Sequence, residues 1–219
     1  MKINIAIDGP SGAGKSTISD VLANKLGYCH LDTGAMYRSV AYTGLKAGLK
    51  MDDEENVVKL ISDMDLKMNS DGSIICNGED ITNKIRTNEI SMAASDVSKL
   101  LNVRKALVSM QQRIAKDGGY IVDGRDICEV VLPNAEVKVF LTASAENRAQ
   151  RRVLQNKEKG IEADYDMILA DIQKRDYQDS HRENSPLHKA VDATEIDSSN
   201  LSIDEVVNEI MNLVKEKLK

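Results

Sequence analysis

Short apolar runs alternate with longer stretches of helical period along this chain. Ile3, Ile5 and Ile7 open it with small or polar residues between them, and similar strand-like runs recur at 28–31, 119–123, 136–141 and 194–197. Between them, apolar residues recur three and four apart, predicting helices over 15–26, 33–48, 53–63, 87–116, 145–159, 165–180 and 203–218. Ser202 and Glu205 form a capping box ahead of the last. Strands separated by helices imply a parallel sheet with helices on both faces.

One stretch departs from that rhythm. DLKMNSDGSIICNGEDIT, residues 65–82, places Asp71-Gly72 and Asn77-Gly78 between three short extended runs. Each dipeptide supplies the positive φ of a tight hairpin, so the stretch reads as a three-stranded antiparallel meander inserted into the main domain.

Composition narrows the class. The 219 residues carry 29 basic and 35 acidic side chains, a net charge of −6, which argues against a general binder of nucleic acid or membrane surface. Tryptophan is absent and Phe140 is the one phenylalanine, so aliphatics and nine methionines fill the core. Cys29, Cys76 and Cys128 are far apart and lack metal-ligand spacing, as expected of reduced thiols in a cytoplasmic protein. No apolar stretch reaches membrane-spanning length, and no long apolar edge calls for a dimer, so a soluble monomer is expected.

The candidate chemistry begins where the first strand stops. Gly9-Pro10-Ser11-Gly12-Ala13-Gly14-Lys15-Ser16-Thr17 fits the P-loop pattern. Its glycines let backbone N–H groups turn inward around a phosphate, and the following helix adds its positive end. Lys15 reaches the β- and γ-phosphates, and the Ser16 hydroxyl can ligate Mg²⁺. A strand before and a helix after supply the context that this motif needs.

Three further clusters concern the acceptor. At the end of the second strand, His30-Leu31-Asp32-Thr33-Gly34-Ala35-Met36-Tyr37-Arg38 sets a hydroxyl at a helix start and an arginine one turn on, a second anion site. At the end of the third, Asp123-Gly124-Arg125-Asp126 suggests a Mg²⁺–water contact from Asp123, with Arg125 and Asp126 turned into the crevice. Finally, eight of the ten arginines lie between 104 and 182, where lysines number six. Arg175, Asp179 and Arg182 share a helix face, as do Arg148, Arg151 and Arg152. Arginine forks suit phosphate oxygens and the charge on a transferring phosphoryl group. Arg104 shares an apolar face with Leu100, Leu101, Leu107 and Val108, an odd place for a charge without a ligand, although Asn102 could start a new helix there.

With these residues in view, the chain resembles the bacterial cytidylate (CMP) kinases of the nucleoside-monophosphate kinase family. IDGPSGAGKST, LDTGAMYR, NGEDIT, MAASDVSKLLNVR, DGRD, RAQRR and RDYQDSHR carry the resemblance in order, nearly end to end. It implies an α/β P-loop fold with a five-stranded parallel sheet, the small antiparallel insert and a helical lid. The domain would be single: core 1–64, 83–144 and 180–219, a CMP-side insert at about 65–82 and a lid at about 145–179. The implied reaction moves the γ-phosphoryl of ATP to CMP or dCMP, with Mg²⁺. Residues 9–17 would hold ATP, joined by Arg148, Arg151 and Arg152 when the lid closes; their helix face would be exposed without nucleotide. Thr33, Arg38, Arg125, Arg175 and Arg182 would surround the CMP phosphate. Asp179 would reach the ribose, and Ser95, Arg104 and Asp126 the cytosine. Lys15, Arg125 and Arg175 would be the catalytic cations.

The chain departs from the family where Cys128-Glu129 stand for a usual glycine and threonine, where Leu132 replaces a phenylalanine, and where Thr33 replaces a common serine. Other P-loop kinases, acting on UMP, AMP or shikimate, are the near alternative. A P-loop GTPase switch is the distant one: it needs a guanine-reading N-K-x-D, and Asn83-Lys84-Ile85-Arg86 lacks the acid.

Overall fold

A computed structural model describes residues 2–69, 71–158 and 160–218. Its centre is a parallel sheet. Strand β1 (Ile5–Asp8) leads to α1 (Lys15–Leu26), β2 (Cys29–Asp32), α2 (Thr33–Lys46) and α3 (Glu54–Asp63). The insert β3 (Leu66–Met68), β4 (Ile74–Cys76) and β5 (Glu79–Asp80) follows, then α4 (Asn88–Val97) and α5 (Leu101–Ile114). The chain finishes with β6 (Tyr120–Gly124), β7 (Val137–Thr142), α6 (Ala145–Glu158), α7 (Tyr165–His181), β8 (Thr194–Asp197) and α8 (Ile203–Lys217).

Strand order is β2-β6-β1-β7-β8, every pair parallel. The central position of β1 explains its composition, since all four residues are buried. Alternation along it feeds two cores. Ile5 and Ile7 pack with Ile18 and Leu22 of α1 and with Val207, Ile210 and Val214 of α8. Ala6 faces the other way, into a core with Met36 and Val40 of α2, Val97 of α4 and Leu107 of α5.

The antiparallel insert forms as expected, in the order β3-β4-β5. Asn77 and Gly78 both take positive φ, 50° and 78°, the geometry of a two-residue hairpin. The first connection differs: only Gly72 of its dipeptide lies at positive φ (82°), while the Asp71 carboxylate accepts from the Ser73 N–H at 2.9 Å. Ile74 and Cys76 on β4 and the following Ile81 bury themselves in the α2-side core, which anchors the insert.

The single helix expected over 87–116 is two. Helix α4 ends at Val97, and Leu100 is extended (φ −77°, ψ 121°) before α5 begins at Leu101. The break frees the carbonyls of Ser95 and Ser98 for polar side chains. A π-type turn, Ile127–Val131, follows β6, an element that the apolar spacing does not predict.

Among the described residues, no helix is long and apolar enough to cross a membrane.

Candidate active site

The carboxyl ends of β1, β2 and β6 open onto one cleft, where ligands of open α/β sheets are held. Its floor is the loop between β1 and α1. Gly9 has φ +150°, and a Cβ there would lie 1.9 Å from the Leu141 carbonyl oxygen, so the turn tolerates glycine alone. Lys15 is 6% exposed and folds over the loop, donating to the Gly9 and Pro10 carbonyls at 2.7 and 2.9 Å. Burial, with Arg125 close by, lowers its pKa to about 7. A buried ammonium resting on two carbonyls is poised for a stronger anionic partner.

Beside it, Ser16 Oγ donates to Asp123 Oδ2 at 3.2 Å. The other Asp123 oxygen meets His30 Nε2 at 2.6 Å, and His30 Nδ1 meets Asp20 at 2.7 Å. Burial pulls the His30 pKa down, but the bonds to Asp123 and Asp20 prevail and raise it to about 9. A hydroxyl and a carboxylate side by side at a phosphate loop are hard oxygen donors that fit Mg²⁺.

The remainder of the cleft carries an arginine nest. Asp32, rather than Thr33, caps α2, accepting from the Ala35 N–H at 2.8 Å and from Arg38 at 2.9 Å. Thr33 is the first helical residue, and its hydroxyl donates to the Asp123 carbonyl at 2.7 Å. Gly124 permits this approach, because a Cβ there would sit 2.6 Å from Thr33 Oγ1.

Arg125 Nε donates to Asp179 at 2.7 Å, and Arg175 lies 4.0 Å from the same oxygen. Burial would raise the Asp179 pKa, but Arg125 and Arg175 hold it below the usual carboxylate range. Arg175 itself is lowered to about 10 by burial and then by Arg125. Arg182 stands just past the end of α7 and donates to the Ser185 carbonyl at 2.7 Å and the Ser98 hydroxyl at 3.3 Å. Arg38 Nε, Arg175 Nε and Arg182 Nη2 are all buried with no hydrogen-bond partner among the described residues. Three guanidinium groups with orphan donors around one space match a multiply charged anion.

Deeper in the cleft, Arg104 is 4% exposed, pairs with Asp126 and donates to the Ser98 carbonyl at 3.2 Å. The Tyr37 ring lies 5.9 Å from its guanidinium carbon. Ser95 lines the same wall. The odd apolar address of Arg104 is thereby explained, since the helix break turns it inward to a carboxylate and an open cavity.

Thus Thr33, Arg38, Ser95, Arg104, Arg125, Asp126, Arg175, Asp179 and Arg182 all line the cleft that contains Ser11, Gly12, Gly14, Lys15, Ser16 and Thr17. Gly9, Pro10 and Ala13 frame the loop without lining the cleft. The three α6 arginines do not share an exposed face. Arg148 is 4% exposed and forks onto Asp176 of α7, while also donating to the Ser11 carbonyl at 3.0 Å. Arg151 turns away to the Ser198 carbonyl, and only Arg152 is exposed. The cause is packing of α6 against α7 and the phosphate loop, which the charge pattern of α6 does not encode. Sequence reasoning assigned no role to Tyr37, Ser98 or His30. All three stood in quoted motifs, LDTGAMYR for Tyr37, the run from His30 to Arg38 for His30 and MAASDVSKLLNVR for Ser98, but nothing in the residues themselves marked them out.

A family model described as cytidylate kinase matches residues 5–216. The cytidylate kinase of Caldicellulosiruptor bescii is 52% identical over 221 residues, covering 100% of this chain and 98% of its own. That of Bacillus subtilis is 47% identical, covering 99% of this chain and 98% of its own. Among solved structures, shikimate kinase from Acinetobacter baumannii in complex with shikimate superposes with a TM-score of 0.50 at 16% identity, covering 100% of this chain and 97% of that one. At that identity the likeness concerns the fold, that of P-loop kinases.

Proposed function

The chain belongs to the cytidylate kinase family and, on that footing, we propose that it moves the γ-phosphoryl group of ATP onto the phosphate of CMP or dCMP by in-line transfer. The observation that carries the choice of acceptor is the Arg104–Asp126 pair in the wall of the arginine-lined cleft. Cytosine offers an amino donor beside a ring-nitrogen acceptor. An ionised Asp126 accepts from the former, and Arg104 donates to the latter. Uracil presents the reverse pattern, an acceptor toward the carboxylate and a donor toward the guanidinium, so neither group finds its complement on the base.

The acceptor phosphate is already anionic, so no strong general base is required. The work is positioning and charge stabilisation. Arg38, Arg125, Arg175 and Arg182 hold the acceptor phosphate, and Asp179 orients Arg125 and meets the ribose. Lys15 leaves the Gly9 and Pro10 carbonyls for the transferring group. Ser16 directly and Asp123 through water would hold Mg²⁺, which when bound neutralises charge on the β- and γ-phosphates. Residues 145–179 act as the lid and 65–82 as the acceptor-side insert; their closure excludes water that would otherwise consume ATP. Arg152 is free to reach ATP on closure, and Arg148 and Arg151 do so only by releasing Asp176 and Ser198.

A coupled ADP-release assay across CMP, dCMP, UMP, AMP and shikimate tests this reading. CMP and dCMP should lead by a wide margin. Comparable turnover of UMP, or a lead for shikimate, would overturn the choice of acceptor.

A further inference from the structure

Asp8 ends β1 and is 2% exposed, and nothing in the proposed reaction uses it. Its two oxygens accept from two successive backbone N–H groups, Ile127 at 2.8 Å and Cys128 at 2.9 Å, more than a hundred residues along the chain. Those are the first two N–H groups of the π-type turn Ile127–Val131. A helical turn leaves its leading N–H groups without intrahelical acceptors, and an Asp at the preceding position ordinarily turns its own side chain back to cap the second or third of them, here Cys128 or Glu129. Here the preceding residue is Asp126, and its side chain makes no such cap. Its carboxylate goes to Arg104 instead.

We propose that Asp8 is a positioning residue for base selection: by capping the turn in place of Asp126, it leaves the Asp126 carboxylate free to face the cleft. The peptide between Asp126 and Ile127 is the one that Asp8 grips, so Asp8 also sets ψ of Asp126, which is 29° with φ −146°. Burial raises the Asp8 pKa against the opposing pull of the two N–H bonds. The departure at Cys128 fits the same clamp. Its N–H is held by Asp8, and its fully buried thiol lies 3.7 and 3.8 Å from the Ala6 and Val139 carbonyls, filling the space beneath the turn.

The inference rests on the base-reading role of Asp126, and the test separates the two. The near-isosteric Asp8→Asn replaces one acceptor by a donor that faces an N–H, inviting Asp126 back to cap its own turn. The measured quantity is the ratio of kcat/KM for CMP to that for UMP. It should fall by about tenfold or more in Asp8→Asn, whereas a general structural defect lowers both substrates alike. In an Asp126→Ala background the same change should have no further effect on the ratio, since both act through one group. Amide exchange on the unaltered protein gives an independent readout: the Ile127 and Cys128 N–H groups should be strongly protected although neither belongs to the sheet ladder. An Asp8→Asn protein that keeps the ratio within about twofold, or rapid exchange of either amide in the unaltered protein, would overturn the proposal. An unaltered protein with no preference for CMP overturns the base-reading assignment itself, and this proposal with it.

Discussion

Arg148 of α6 and Asp176 of α7 face each other as a two-pronged ion pair, with Nη1 and Nη2 donating to the two carboxylate oxygens at 3.0 and 2.6 Å. The guanidinium also donates from Nε to the Ala143 carbonyl at 2.9 Å, so every prong is engaged. This arginine therefore ties both helices to the loop around Ser11.

Arg148→Ala should consequently lower stability by about 2 kcal/mol, because it strands Asp176 and the Ser11 carbonyl beside a cavity. Arg152→Ala, exposed on the same helix, should change stability by less than about 0.5 kcal/mol. Denaturant titration of the two variants compares them directly. Equal stability of both would show that the Arg148 fork contributes nothing to the fold.

Lys15→Ala removes the buried ammonium that rests on Gly9 and Pro10. Turnover should fall by about 10²–10³ or more, while the circular dichroism of the protein is unchanged. Near-normal turnover of the folded variant would contradict the role of this loop in phosphoryl transfer.

Asp126→Ala should narrow the gap between CMP and UMP mainly by harming CMP. Sites that pair a substrate's polar edge reject the mismatched analogue by roughly 10⁴-fold, because buried groups are then left unpaired. Side-by-side kcat/KM values decide the matter, and an unchanged preference would remove Asp126 from base reading.

Glu79 of β5 accepts from Lys46 at 2.6 Å, Lys84 at 2.5 Å and Tyr42 at 3.2 Å, linking the insert to α2. The bonds from Lys46 and Lys84 lower its pKa from 4.5 to about 2. A carboxyl depressed on folding stabilises above its unfolded pKa and loses that contribution as pH falls toward its folded one. The Tm deficit of Glu79→Gln should therefore be largest near neutrality and shrink below about pH 4.5. A carbon-detected titration of the Glu79 carboxyl near its ordinary value would argue against the linkage.

What the sequence by itself determined is whatever depends on neighbours along the chain. The P-loop from Gly9 to Thr17, the strand and helix that flank it, the capping box at Ser202 and the hairpin at Asn77-Gly78 are local: their geometry follows from residue types a few positions apart. The inner strands β1 and β6 were legible because a strand covered on both faces demands a nearly continuous apolar run, whereas the edge strands β2 and β8 bury one residue each, Leu31 and Ile196. The cluster of arginines was legible as a bias in composition, though not as a shape.

Tertiary structure alone decided which polar groups meet across the sheet and between helices. Asp8 finds Ile127 and Cys128 because β1 lies beside β6, and His30 finds Asp123 because β2 lies on the other side of β6. Asn102 hinted at the break between α4 and α5, but only the fold shows that it places Ser98 where Arg104 and Arg182 use it. The same limit explains the misplaced exposure of Arg148. The charges along α6 do not say which side α7 and the phosphate loop will cover, because a guanidinium is buried readily once its donors are met, and those acceptors come from elsewhere in the chain.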